Sequence, residues 1–217
     1  MVKNKLHKFG CSFSTHRFFN LEPGDYPHDP SNYASIVATH FDLEVQGYAR
    51  EGQGNSFILK ELNENRHLFE PNDIVIVQIT NPDRLYNKLE WFGDIKVHEL
   101  LDPPSRLVEV SNLSKDDIKT FGYVYTSLFE DKVQTHNLYC DSIVSTCMTL
   151  PCKSVILPYL NRKEYEEKFK DFDNIIFSDN PWNYMNLDHD NFRFDHLTDE
   201  LHNRVGHNII KDIERKQ

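Results

Sequence analysis

Asp73-Ile74-Val75-Ile76-Val77-Gln78-Ile79 is a nearly continuous run of β-branched residues. A strand with one wet face alternates apolar and polar side chains. A strand covered on both faces does not, and reads as an unbroken apolar run. The stretch is therefore a strand buried in a parallel sheet. It ends at Thr80-Asn81-Pro82-Asp83-Arg84, a loop, because Pro82 has no N–H to continue a ladder. Shorter runs of similar character lie on either side. Lys5 to Cys11 reads as a first strand ending at Gly10, and Leu43 to Ala49 as a second. Ser154 to Leu157 is a strand stopped by Pro158, and Asn174 to Phe177 is a last short one.

Helical segments separate these strands. Tyr33 to His40 is one, with Ser31 or Asn32 as its N-cap. Ser56 to Asn65 follows a glycine turn over Glu51-Gly52-Gln53-Gly54-Asn55. Lys115 to Leu150 reads as one long helix or two, opened by Ser114 with Asp116 and Asp117 in the first turn. Arg162 to Phe172 is a charged helix. Asp199 to Lys211 closes the chain, with Leu201, Val205, Ile209 and Ile210 roughly on one face. Strands alternating with helices predict an α/β fold, a three-layer α/β/α sandwich with a mostly parallel central sheet, as a single domain over residues 1–217. The stretch from Leu85 to Pro104, aromatic and charged, gives no clear pattern.

Hydrophobic residues make up 39% and charged residues 27%, as in an ordinary globular protein. A net charge of −10 argues against nucleic acid and anionic membrane as partners, since both select for Lys and Arg. No apolar run is long enough to span a bilayer. The basic start Met1-Val2-Lys3-Asn4-Lys5 is not followed by an apolar signal segment, so a cytoplasmic protein is expected. The four cysteines Cys11, Cys140, Cys147 and Cys152 form no Cys-x-x-Cys pairs, so reduced, mostly buried thiols are expected and zinc is not. His189, His196, His202 and His207 do not make a metal site on their spacing: His202 and His207 are five apart, off a shared helical face. No cofactor or metal is expected.

In open α/β sheets, sites gather at the carboxyl ends of the strands. Three loops there carry unusual residues: Ser12 after the first strand, Gly52 and Asn55 after the second, Thr80 and Asn81 after the third. The segment before the last helix adds His196. Acyl transfer needs a nucleophilic hydroxyl, a base for its proton, and donors for the developing oxyanion. Ser12 supplies the hydroxyl and His196 the base. The backbone N–H groups of Ser12 and Gly52, with the Asn81 side-chain amide, supply the donors. Each residue alone has a plainer reading: Ser12 as a helix N-cap, Gly52 as a turn glycine, Asn81 before Pro82 as a turn signal, Arg84 as half of an ion pair. Cys11, beside Ser12, is the competing nucleophile.

The order of these residues resembles the SGNH (GDSL-like) hydrolase family, which has Ser, Gly, Asn and His in four separated blocks. Phe9-Gly10-Cys11-Ser12-Phe13-Ser14 is similar to the first, with Cys11 where Asp is more usual. Tyr48-Ala49-Arg50-Glu51-Gly52-Gln53-Gly54-Asn55 is similar to the second, and Val75 to Asn81 to the third, with Ile79 where the family has glycine. Asp195-His196-Leu197-Thr198, with His202 six residues after His196, is similar to the last. The resemblance implies a flavodoxin-like SGNH hydrolase fold and a serine esterase or acylhydrolase acting on a small-molecule or carbohydrate ester (acetylated sugars, small aliphatic esters or lysophospholipids); the absence of a long apolar segment to serve as a lipid-binding lid favours an O-acetylated carbohydrate. The resemblance also implies catalytic Ser12 and His196 and an oxyanion hole of Ser12, Gly52 and Asn81. The family's triad Asp lies three residues before its His, where this chain has Arg193. Asp195 is the first choice for the third member, with Asp190, Asp188 or a Ser-His dyad as alternatives. Two other readings use the same pocket: a weak or inactive hydrolase-fold module that binds glycans, and an acyltransferase.

Overall fold

The computed structural model describes residues 3–11, 31–49, 54–80, 132–159, 162–181, 192–193 and 196–216. The apolar run around Val75 is the middle strand of a five-stranded sheet. The strands are β1 (Lys5–Phe9), β2 (Glu44–Gly47), β3 (Ile74–Gln78), β4 (Lys153–Leu157) and β5 (Ile175–Phe177). They lie in the order β2-β1-β3-β4-β5, and every pairing is parallel. This is the flavodoxin-like doubly wound order. The chain winds one way from β1 to β2 and the other way from β3 onward, so the ends of β1 and β3 flank the reversal.

Alternation along the strands splits the core in two. Leu6, Ile74, Ile76, Val155, Leu157 and Ile176 face one side. Val75, Val77, Ile156, Ile175 and Phe177 face the other. That is why β3 is apolar from Ile74 to Val77; all five of its residues, Gln78 included, are buried. On the first side lie α1 (Tyr33–His40) and α5 (Asp199–Arg215). On the second lie α2 (Asn55–Asn65) and α3 (Lys132–Met148), with α4 (Arg162–Lys168) contributing the partly buried Tyr165. Burying both faces satisfies the requirement that a parallel sheet be covered twice.

Helix ends follow their local chemistry. Asn32 caps α1, its Oδ1 accepting the Ala34 N–H at 2.9 Å. Thr198 caps α5, accepting the Leu201 N–H, and acidic Asp199 and Glu200 complement the helix dipole in its first turn. Within the described residues α3 starts at Lys132; the expected helical stretch 115–131 lies outside them. Asn174 closes the far end of α3, its Nδ2 donating to the Cys147 and Met148 carbonyls at 3.2 and 3.3 Å.

Three of the boundaries that differ from expectation concern β2 and the fourth and last helices. β2 covers only Glu44–Gly47, because it is an edge strand with Glu44 and Gln46 turned to solvent. The fourth helix stops at Lys168 rather than reaching Phe172: Phe169 N–H makes its last i→i−4 bond, to Tyr165 O at 3.0 Å, and the chain then turns, Phe172 N–H bonding to Phe169 O at 3.2 Å while Phe169 packs in the core. The last helix runs on to Arg215, since no breaker follows Lys211 and Ile213 continues its buried face.

The amino edge of the sheet is fastened by Asp73. Its carboxylate accepts the Lys5 N–H at 2.7 Å and the Glu70 N–H at 2.9 Å, and meets His7 Nε2 at 3.1 Å. Both side chains of the His7–Asp73 pair are almost fully buried. All four cysteines are free and buried. Among the described residues no helix is long and apolar enough to cross a membrane.

Candidate active site

The sequence reading assigns its site residues to the carboxyl edge of the sheet, where β1 and β3 end at Phe9 and Gln78. Ser12, Gly52, Asn81 and Asp195, with the alternatives Asp188 and Asp190, lie outside the described residues, as does Arg84. What is described is the frame from which they depart: Cys11 before Ser12, Gly54 and Asn55 after Gly52, Thr80 before Asn81, and the backbone of His196.

β1 and β3 are direct neighbours, with Phe9 opposite Val77. The strand leading to Ser12 and the strand leading to Asn81 therefore end side by side at the winding reversal. Cys11 is fully buried, with Sγ 3.9 Å from Gln78 Oε1. A thiol directed into the core beside Gln78 is poorly placed to attack a substrate, which counts against Cys11 as nucleophile. Ile79, at the family's glycine position, is fully buried within the α2–α3 half of the core. Its side chain is accommodated by hydrophobic packing.

The end of β3 is completed by side-chain amides instead of a further strand. Asn180 Nδ2 donates to the Ile79 carbonyl at 2.8 Å and the Leu157 carbonyl at 2.5 Å, tying β3 to β4. Asn55 makes a two-point contact with Thr80: Oδ1 accepts the Thr80 N–H at 2.9 Å and Nδ2 donates to the Thr80 carbonyl at 3.2 Å. Asn55 Nδ2 also lies 3.0 Å from His136 Nδ1, and His136 Nε2 lies 3.3 Å from Cys140 Sγ. Burial lowers the His136 pKa from its ordinary value, so the ring is neutral at pH 7. Burial pushes the Cys140 thiol up to about 12, so it too is neutral.

His196 opens β7 (His196–Leu197), which pairs antiparallel with β6 (Phe192–Arg193). Arg193 stands opposite His196 in the ladder. β7 leads through Thr198 directly into α5. His202, one turn into α5, is buried; its Nδ1 accepts the Tyr33 N–H at 3.4 Å and its ring stacks on Tyr33 with centroids 5.8 Å apart. It joins α5 to α1. Among the described residues no group of three or more His, Cys, Asp or Glu is arranged to hold a metal ion.

Sequence reading missed several polar residues at this edge. Lys8 and Gln78 are fully buried in β1 and β3, and Asn180 and His136 are buried beyond them. Lys8 and Gln78 carried a signal, as polar residues inside strands that are otherwise buried. Asn55 was grouped with a glycine turn but is the first residue of α2.

No family model and no curated protein matches the chain. Among solved structures it is similar to a carbohydrate esterase family 2 enzyme plus carbohydrate-binding domain from Corynascus thermopiles (Myceliophthora fergusii), with 10% identity and a TM-score of 0.51, over 99% of this chain and 67% of that one. It also aligns with TesA, at 10% identity and a TM-score of 0.49 over 99% of this chain and 100% of that one. Phospholipase A1 from Streptomyces albidoflavus NA297 aligns at 12% identity and a TM-score of 0.34, over 99% of this chain and 74% of that one. At 10% identity, the similarity to the carbohydrate esterase is one of fold: the α/β architecture with a parallel sheet is shared.

Proposed function

We propose that the protein is a serine-dependent hydrolase of ester bonds. The observation that carries this reading is the sheet order, which ends β1 and β3 side by side at the winding reversal. Those are the strands that lead into Ser12 and Asn81. In this reading His196 takes the Ser12 hydroxyl proton as Oγ attacks the ester carbonyl. The N–H groups of Ser12 and Gly52 and the Asn81 amide stabilise the oxyanion. Collapse of the tetrahedral intermediate breaks the ester C–O bond, and His196 returns the proton to the leaving alcohol. Water, deprotonated by His196, then attacks the acyl-enzyme and frees the acid and Ser12.

Asp195 is the proposed third member, orienting the imidazole and stabilising its charged form. Adjacent residues in an extended segment point to opposite faces; the antiparallel pairing of Arg193 with His196 supports Asp195 against that objection. The proposed substrate is an O-acetylated carbohydrate. Supporting this are the shared fold with a carbohydrate esterase and a sequence without a long apolar segment to cover a lipid chain. Burial of Ile79 in the core weakens the inactive-module alternative, because the departure from glycine does not require a lost pocket.

The test is turnover of p-nitrophenyl acetate by the wild-type protein and by Ser12→Ala. Loss on the order of 10³-fold or more in a folded Ser12→Ala is expected. Full turnover in that variant, with loss in Cys11→Ala, moves the nucleophile to Cys11. Acyl transfer to added sugar in preference to water assigns a transferase.

A further inference from the structure

Asn55 is 3% exposed and begins α2. It does not serve as a cap: the N-cap is Gly54, which makes no side-chain bond to the helix. Asparagine is a mediocre helix former, and burying its amide is costly unless every polar atom finds a partner. Here every polar atom does. Oδ1 accepts the Thr80 N–H, one Nδ2 hydrogen goes to the Thr80 carbonyl, and the other is directed at His136 Nδ1. For the last bond Nδ1 must be the acceptor. The proton of the neutral ring then sits on Nε2 and faces Cys140 Sγ. The chain of bonds is consistent from end to end.

We propose that Asn55 is a positioning residue for the oxyanion site, clamping the backbone of Thr80 to the start of α2 with His136 as its buried acceptor. The proposal rests on the reading of Gly52 and Asn81 as oxyanion donors. Asn55 lies three residues after Gly52, and the Thr80 carbonyl it holds belongs to the planar peptide leading into Asn81. The residues are 25 apart in sequence, and α2 and β3 are separate elements. A side chain that grips both the N–H and the C=O of Thr80 fixes the relative placement of the two segments. Asn180 fastens the same end of β3, but to β4; Asn55 fastens it to the start of α2. An oxyanion hole acts through donors already in place, and a displacement of about 1 Å can cost on the order of 10²-fold in rate.

The experiment compares kcat and KM for p-nitrophenyl acetate in the wild-type protein, Asn55→Ala, His136→Gln and His136→Phe. Asp73→Asn serves as a control whose lesion lies at the opposite edge of the sheet. Asn55→Ala is expected to lower kcat about 10- to 100-fold with KM within about threefold. His136→Gln, which keeps an acceptor for Asn55 Nδ2, is expected to retain more of kcat than His136→Phe, which removes it. Asp73→Asn should lose stability and keep kcat, showing that destabilisation alone does not produce the loss. Wild-type turnover with Asn55→Ala within about twofold of it overturns the positioning role and leaves the hydrolase reading standing. If Asn55→Ala does not fold, the His136 pair decides, and equal kcat in the two overturns the proposal. No turnover by the wild-type protein removes the hydrolase reading, and this inference with it.

Discussion

Two buried polar side chains hold the two edges of the sheet, and they differ in what depends on them. Asp73 collects the Lys5 and Glu70 N–H groups and His7 at the amino edge. Asn55 collects Thr80 and His136 at the carboxyl edge. In a parallel α/β sheet the amino edge carries stability and the carboxyl edge carries chemistry. Asp73→Ala leaves several donors unsatisfied, and is expected to cost on the order of 3 kcal/mol in urea unfolding, with kcat unchanged in the surviving folded protein. The residues of the last block make a second expectation. Asp195→Asn should slow ester hydrolysis by up to about 10⁴-fold by favouring the wrong imidazole tautomer, and far more than Asp190→Asn or Asp188→Asn. Near-wild-type rates in all three leave a Ser-His dyad. Ser12, Gly52, Asn81 and His196 are candidates from the order of short blocks in the sequence alone. The Asn55–Thr80 clamp was not legible there, because a hydrogen bond across 25 residues leaves no local pattern.

Among the elements, α1 and α5 pack closely at Gly206. A Cβ at Gly206 meets Ile36 Cβ and Cγ2 at 3.0 Å and the Tyr33 carbonyl at 3.2 Å. Neither Cβ nor a backbone carbonyl moves aside easily. Gly206→Ala gains about 1 kcal/mol of helix propensity and loses about 1–3 kcal/mol to overpacking, so net destabilisation is expected. Its thermal midpoint should fall, and Gly206→Leu should fall further; a raised midpoint in Gly206→Ala contradicts a tight α1–α5 contact. The position matters to the site because α5 follows directly from β7, which starts at His196. Strands were readable from runs such as Ile74-Val75-Ile76-Val77. Helix ends were readable where a cap stood, as at Asn32. They were misread where tertiary contact decided the end, as where Phe169 leaves α4 for the core.

At the scale of the whole molecule, two buried neutral histidines make stability depend on pH. Burial lowers the pKa of His7, despite the opposing influence of Asp73, and burial lowers that of His136. In the unfolded chain both take up protons near pH 6.5; in the folded protein they do so only at lower pH. Between those values the unfolded state binds more protons, so stability rises with pH. The contribution is fully present above about pH 6.5 and is lost as pH falls through the folded values. The thermal midpoint should drop from pH 7.5 to 5.5, and the drop should be smaller in His136→Gln. A midpoint constant over that range in the wild-type protein contradicts neutral burial. The three-layer class and its two-sided core were accessible from alternation of strand and helix, since burial on both faces constrains composition everywhere; the strand order was not. The polar network at the carboxyl edge was not, since it depends on which elements become neighbours.

The central claim is that Ser12 is an activated nucleophile. Its most direct test is treatment of the folded wild-type protein with a fluorophosphonate probe, followed by peptide mass spectrometry to locate the adduct. The account predicts a single stoichiometric adduct on Ser12, absent from Ser12→Ala and reduced in His196→Ala. An unlabelled wild-type protein, or an adduct on Cys11 or another residue, contradicts it.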